Sequence, residues 1–116
     1  MPNFPSPEQR LYQALVEADP ALGPLAAGSR DGTGSFLEYL YLGDVAQHVA
    51  ALSRDEAYDS SRLDRILTAL ENALNGDEHV TNVIGVGFLE HLKALGALEA
   101  VRGRFGPKLG FWADTV

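Results

Sequence analysis

Asp77-Glu78-His79-Val80-Thr81-Asn82-Val83-Ile84-Gly85-Val86-Gly87-Phe88-Leu89-Glu90-His91-Leu92-Lys93-Ala94-Leu95 is the stretch on which the fold class turns. Asp77 is a good helix N-cap, because its carboxylate can accept a backbone N–H that the first helical turn leaves unpaired. Beyond it, Val80, Val83, Ile84, Val86, Phe88, Leu89, Leu92 and Leu95 cover more than one face, the pattern of a helix surrounded by others. Gly85 and Gly87 each weaken an isolated helix by about 1 kcal/mol relative to alanine, so this reading expects close approach of a neighbouring helix to compensate. A strand over residues 82–88 is the competing reading. Gly96 marks the end of the segment.

The flanking sequence also reads as helices. Ser60 or Ser61 caps a helix with Leu63, Ile66, Leu67, Leu70 and Leu74 on one face and Arg65, Thr68, Glu71, Asn72 and Asn75 opposite; Gly76 closes it. Ser6-Pro7-Glu8-Gln9 is a capping-box start for a helix with Leu11, Leu15 and Val16 as its apolar stripe and Tyr12 beside it, ended by Pro20. Residues 28–34 read as a flexible surface loop, preceded by a short helical turn over Ala21–Ala27. Phe36–Leu42 suits either a helix or an extended segment, ended by Gly43-Asp44, with Asp44 capping a new helix that carries Val45, Val49 and Leu52. After Gly96, Ala97–Arg104 and Pro107–Trp112 each form a short helix around Gly106. The expected fold is all-α: one domain over residues 1–116, an irregular helical bundle or short stack of helical hairpins, without an internal repeat.

Composition bounds the function. The 116 residues are 46% apolar and 22% charged, enough for one core and far from the disordered regime. Cysteine is absent, which excludes disulfides, thiolate zinc sites and cysteine nucleophiles. Nine Lys plus Arg against sixteen Asp plus Glu leave a charge of −7, which argues against nucleic-acid binding. Residues 1–92 hold five basic and fourteen acidic side chains, and residues 93–116 four and two, so the balance runs from −9 to +2. Asp55, Glu56, Asp59 and Asp64 cluster around one loop and the following helix start, making that acidic surface the candidate contact for a basic protein partner. Neither a membrane span nor the basic and apolar regions of a secretory signal are recognisable, so a cytoplasmic location is expected.

No recognised nucleophile, zincin or phosphate-loop motif surrounds the three histidines. Asp44 and His48 are four apart on one helix face and, with Glu38 or Glu90, could complete a metal shell, or with Glu90 form a small ligand site for an enzyme. Such spacing is common in surface contacts, so no catalytic residue, metal or cofactor is assigned. His79 reads as solvated. Glu90 is expected to bond in the core or pair with Arg102 or Arg104, and Asn82 to bond locally near the helix start. Asn82 and Glu90, eight residues apart, fall about 80° out of alignment on a regular α-helix. Arg102, Arg104 and Lys108 surround Phe105, Phe111 and Trp112, and these aromatics are expected to seal the core.

Three features resemble a family of small, uncharacterised bacterial helical proteins, some associated with toxin-immunity gene neighbourhoods. They are the apolar run ending in Gly43-Asp44, the stretch from Val80 to Leu92 with its Phe88-Leu89-Glu90, and the closing Gly106-Pro107-Lys108-Leu109. Gly87 stands where relatives tend to carry serine. The resemblance implies a helical fold and the neighbourhood, and brings no catalytic motif. The expected function is therefore a non-enzymatic protein-binding domain, in its specific form an immunity protein neutralising a toxin through its acidic surface. A homo-oligomeric assembly module using Phe36–Leu42 and a metal or ligand enzyme using Asp44, His48 and Glu90 are the alternatives.

Overall fold

The computed structural model describes residues 7–25, 38–54, 60–75 and 77–116. Every regular element among them is helical. Helix α1 spans Pro7–Ala18, followed by a 3-10 turn over Pro20–Leu22, α2 spans Glu38–Arg54 and α3 spans Ser60–Ala73. A longer rod, α4, joins an α-helical start at Glu78–Asn82, a π-helical segment at Val83–Glu90 and a last turn at His91–Ala94. Helices α5, Leu98–Arg102, and α6, Pro107–Ala113, complete the chain. The loop expected over residues 28–34 and the Gly76 stop lie outside the described residues, as do Asp55, Glu56 and Asp59.

The all-α expectation holds, and the strand alternative over residues 82–88 is replaced by the π-helical segment. Helix α1 packs on α3, α2 lies along the π-helical part of α4, and α6 closes against both α3 and α4. Leu11 and Leu15 of α1, the predicted α3 face from Leu63 to Leu74, and Val83, Ile84, Phe88, Leu89 and Leu92 of α4 enter one apolar cluster. Asp77 caps α4 as predicted, accepting from the Val80 backbone N–H at 2.9 Å. At its other end Gly96 takes φ +74°, with the Gly96 and Ala97 N–H groups returning to the Lys93 and Leu92 carbonyls, which is the left-handed glycine stop of a Schellman turn.

Gly43-Asp44 does not end a segment. Helix α2 runs through it, and residues 38–42 are helical, with Tyr41 and Leu42 buried. Packing supplies the reason: a Cβ on Gly43 would lie 3.3 Å from His91 Nδ1 of α4. Gly87 answers from the other rod, where a Cβ would sit 2.9 Å from Leu42 Cβ and 3.3 Å from the Tyr39 carbonyl oxygen. Each helix thus offers the other a notch, and close packing compensates the helix-propensity cost of glycine. Gly87→Ala should lower stability by about 1–2 kcal/mol net in urea denaturation, overpacking exceeding the propensity gain.

Several charges act as caps between helices. Arg65 Nε donates to the Ala18 carbonyl at the end of α1 at 3.1 Å, and Arg54 Nη2 to the Leu95 carbonyl after α4 at 2.8 Å. The Glu71 carboxylate accepts from the Lys108 and Leu109 backbone N–H groups at 3.1 and 2.8 Å, capping the start of α6. Cations at carbonyl ends and an anion at an N–H end match the helix dipole. Glu71, expected on the solvated face of α3, is therefore a tertiary contact.

Candidate functional site

Two arrangements stand out, one a buried polar cluster and one an open groove. The buried one centres on Asp19, only 3% exposed. His48 Nε2 lies 2.8 Å from its Oδ2, Arg62 donates through Nε at 3.1 Å and Nη2 at 3.2 Å, and the Ala21 N–H donates at 3.1 Å. An ionised carboxylate only accepts, so His48 Nε2 carries the proton in this contact. Burial pushes the Asp19 pKa up, but bonds from His48, Ala21 and Arg62 together with the Arg62 charge outweigh it and hold the carboxyl below its ordinary 3.8. Four donors fill the acceptor capacity of the carboxylate. This cluster is a clasp joining the end of α1, α2 and α3.

Tyrosines reinforce the same corner. Tyr41 Oη donates to the Leu22 carbonyl at 2.9 Å, and Tyr12 Oη to the Gly23 carbonyl at 3.4 Å. Burial raises the Tyr41 phenol well above its ordinary value, keeping it protonated as a donor.

The proposed constellation of Asp44, His48 and Glu90 does not assemble. His48 turns to Asp19, Glu90 faces solvent, and among the described residues no three His, Asp or Glu side chains converge as a metal shell would require. Arg102 binds Glu99 and Asp114, and Arg104 binds Asp64 at 2.9 Å, so neither arginine takes Glu90. Asp64, the one described member of the acidic surface candidates, is exposed but engaged by that ion pair. Asn82 bonds across the fold: its Nδ2 donates to Tyr39 Oη at 2.8 Å. His79, exposed as expected, also packs edge-on against Tyr39.

The open arrangement is a groove of about 630 Å³ between α4 and α6. Its floor is a stripe of α4 comprising Glu78, Thr81, Asn82, Gly85, Val86 and Glu90, and its far wall is Trp112, Thr115 and Val116. Lys93 Nζ donates to the Val116 carbonyl at 3.0 Å, holding the wall to α4. On the other side of Trp112 a second hollow of about 360 Å³ includes Leu74, Pro107 and Phe111. Phe111 and Trp112 do not both seal the core: they are 61% and 37% exposed and meet edge to face at 5.2 Å. The reason is register on α6, where Leu109 and Ala113 turn inward and their neighbours turn out.

The π-helical segment aligns the groove floor. One extra residue in a turn makes Asn82 to Glu90 equivalent to seven α-helical steps, reducing the misalignment from about 80° to about 20°. Glu78 and Glu90 thereby mark the two ends of one stripe.

A family model describing a domain of unknown function, DUF7674, matches residues 12–114, from the first helix through the Trp112 wall. The chain belongs to the DUF7674 family. This assigns the helical domain to a family of unknown function and carries no activity with it. No curated protein and no solved structure matches the chain. Among the described residues no helix is long and apolar enough to cross a membrane.

Proposed function

We propose that this DUF7674 chain is a non-enzymatic protein-binding domain whose contact face is the groove beside Trp112. The observation that carries the reading is an exposed Phe111–Trp112 pair beside an apolar groove flanked by Glu78 and Glu90. Aromatic anchors beside a cavity are the usual concentration of binding energy at a protein interface, while surrounding charge selects the partner and speeds encounter. With a chain charge of −7, the suitable partner is basic. Together with the resemblance to proteins of toxin-immunity neighbourhoods, this supports an immunity protein that neutralises a basic toxin in the bacterial cytoplasm. Asp55, Glu56, Asp59 and Asp64 would serve to speed encounter with a basic partner rather than as anchors.

Self-association is the second reading, favoured by Leu40, which is 58% exposed on α2. The deciding experiment is calorimetry with the basic product of an adjacent gene. Trp112→Ala should weaken that binding, and charge reversal at Asp55, Glu56, Asp59 and Asp64 should slow association in stopped-flow fluorescence. Absence of binding to that product, or affinity unaltered by Trp112→Ala, would contradict it.

A further inference from the structure

We infer that the groove takes one particular occupant, a basic amphipathic helix of another protein, laid along α4 with its backbone against Gly85. The inference rests on the protein-binding reading above and specifies its mode.

Gly85 is the first observation. Gly43, Gly87 and Gly106 all stand where a Cβ would press on a neighbour, whereas a Cβ on Gly85, as on Gly96, Gly103 and Gly110, would meet nothing within 4 Å, and of these four Gly85 alone lines the groove. A glycine inside a helix is costly, and this one has no packing reason within the chain. It lies in the middle of the groove floor, between Asn82 and Val86. Absence of a side chain there lets a second backbone come close, as small residues do where helices cross.

Length and charge supply the second. Glu78 and Glu90 close the two ends of the stripe, and neither carboxylate is paired among the described residues. With the extra π-helical residue discounted, they are about eleven α-helical steps apart, roughly 17 Å along the axis and about 20° from perfect alignment. A partner helix with two cations eleven residues apart on one face meets both carboxylates. Its apolar residues between them meet Val86, 46% exposed, and Trp112. This is helix-in-groove recognition, with anchors at helical spacing and charge fixing the register.

The same charges exclude a second copy as occupant. Two identical grooves brought face to face about a twofold axis set Glu78 and Glu90 of one copy against those of the other, and both copies carry −7. Like charges in that position repel, so the complementary surface belongs to a cationic partner.

Trp112 is the only tryptophan in the chain, which makes intrinsic fluorescence a direct reporter of the groove. The probes are two stapled helical peptides of identical composition, net basic, with leucine and alanine on the apolar face. One has its two arginines eleven residues apart on the apolar edge, and the other has them on opposite faces. The matched peptide should shift Trp112 emission to the blue, saturate, and bind at least about tenfold more tightly than the mismatched one. Gly85→Leu should abolish the preference, and Glu78→Gln with Glu90→Gln should reduce it about tenfold, while circular dichroism confirms that each variant is folded. Equal affinity for the two peptides, no saturable response to either, or a preference that survives Gly85→Leu would overturn the inference. So would a dimer in sedimentation equilibrium that Gly85→Leu dissolves, since the occupant would then be a second copy. If the basic neighbour product binds through Trp112 but is indifferent to Gly85→Leu, the helical mode fails and the protein-binding reading stands.

Discussion

Asp19→Ala is expected to lower unfolding stability by about 3 kcal/mol at pH 7, because it removes a buried acceptor that serves four donors on three parts of the chain. Arg62 and His48 reach solvent with 36% and 23% of their side-chain surface, so both recover hydration when Asp19 is lost. That recovery keeps the cost at the lower end for breaking a buried pair. In a domain of this size the melting temperature should fall by roughly 10–20 °C. The pH dependence has a definite sign. The folded Asp19 pKa lies below its unfolded value near 3.8, so its contribution is fully present above that value and is lost as pH falls through the lower folded value. Urea titrations at pH 7 and pH 3 should therefore show a smaller difference between wild type and Asp19→Ala at pH 3. An unchanged difference would contradict the ionised clasp.

Trp112→Ala should act in the opposite way, with a large effect on binding and a smaller one on folding. Central aromatic anchors commonly contribute about 2 kcal/mol or more on truncation, which corresponds to roughly a thirtyfold rise in Kd for the basic partner. The side chain sits on the outer register of α6 and keeps 37% of its surface exposed, so the expected loss of stability, about 1–2 kcal/mol, stays below that of a core tryptophan truncation. Calorimetric binding alongside urea denaturation checks both halves. A variant that loses stability in proportion to affinity would make Trp112 a packing residue.

Helical periodicity made much of this fold legible. The α3 face from Leu63 to Leu74, the Asp77 cap, the Gly96 stop and the paired short helices at the end all follow from local rules that act within one or two turns. Gly43-Asp44 misled because a glycine before a good capping residue looks locally like a boundary; its justification is His91, brought over it by packing. Asp19 followed by Pro20 carried a readable cue, a capping residue before a proline, and Asp19 does accept from Ala21. Its partners, His48 and Arg62, are 29 and 43 residues away and follow only from how α1, α2 and α3 meet.

The groove was legible in part. Asn82 and Glu90 were visible as the polar positions of the central stretch, but regular α-helical geometry separates them, and the π-helical turn that aligns them has no simple periodic signature. The acidic surface drew attention to residues 55–64 because composition sums charge without showing which acids are used. Asp64, Glu71, Asp77, Glu99 and Asp114 are each engaged by a partner within the chain. Glu78 and Glu90, not distinguished by any charge run, flank the groove beside Trp112.

Occupation of the groove by a basic partner can be followed residue by residue in solution. Nitrogen-15 correlation spectra of the chain should be recorded during titration with the basic partner or the matched helical peptide. The single indole resonance of Trp112 and the Gly85 and Val86 amides should move together and saturate at one stoichiometry, with residues around Asp19 unmoved. A saturating response confined to residues 55–64, with Trp112 and Gly85 unchanged, would contradict it.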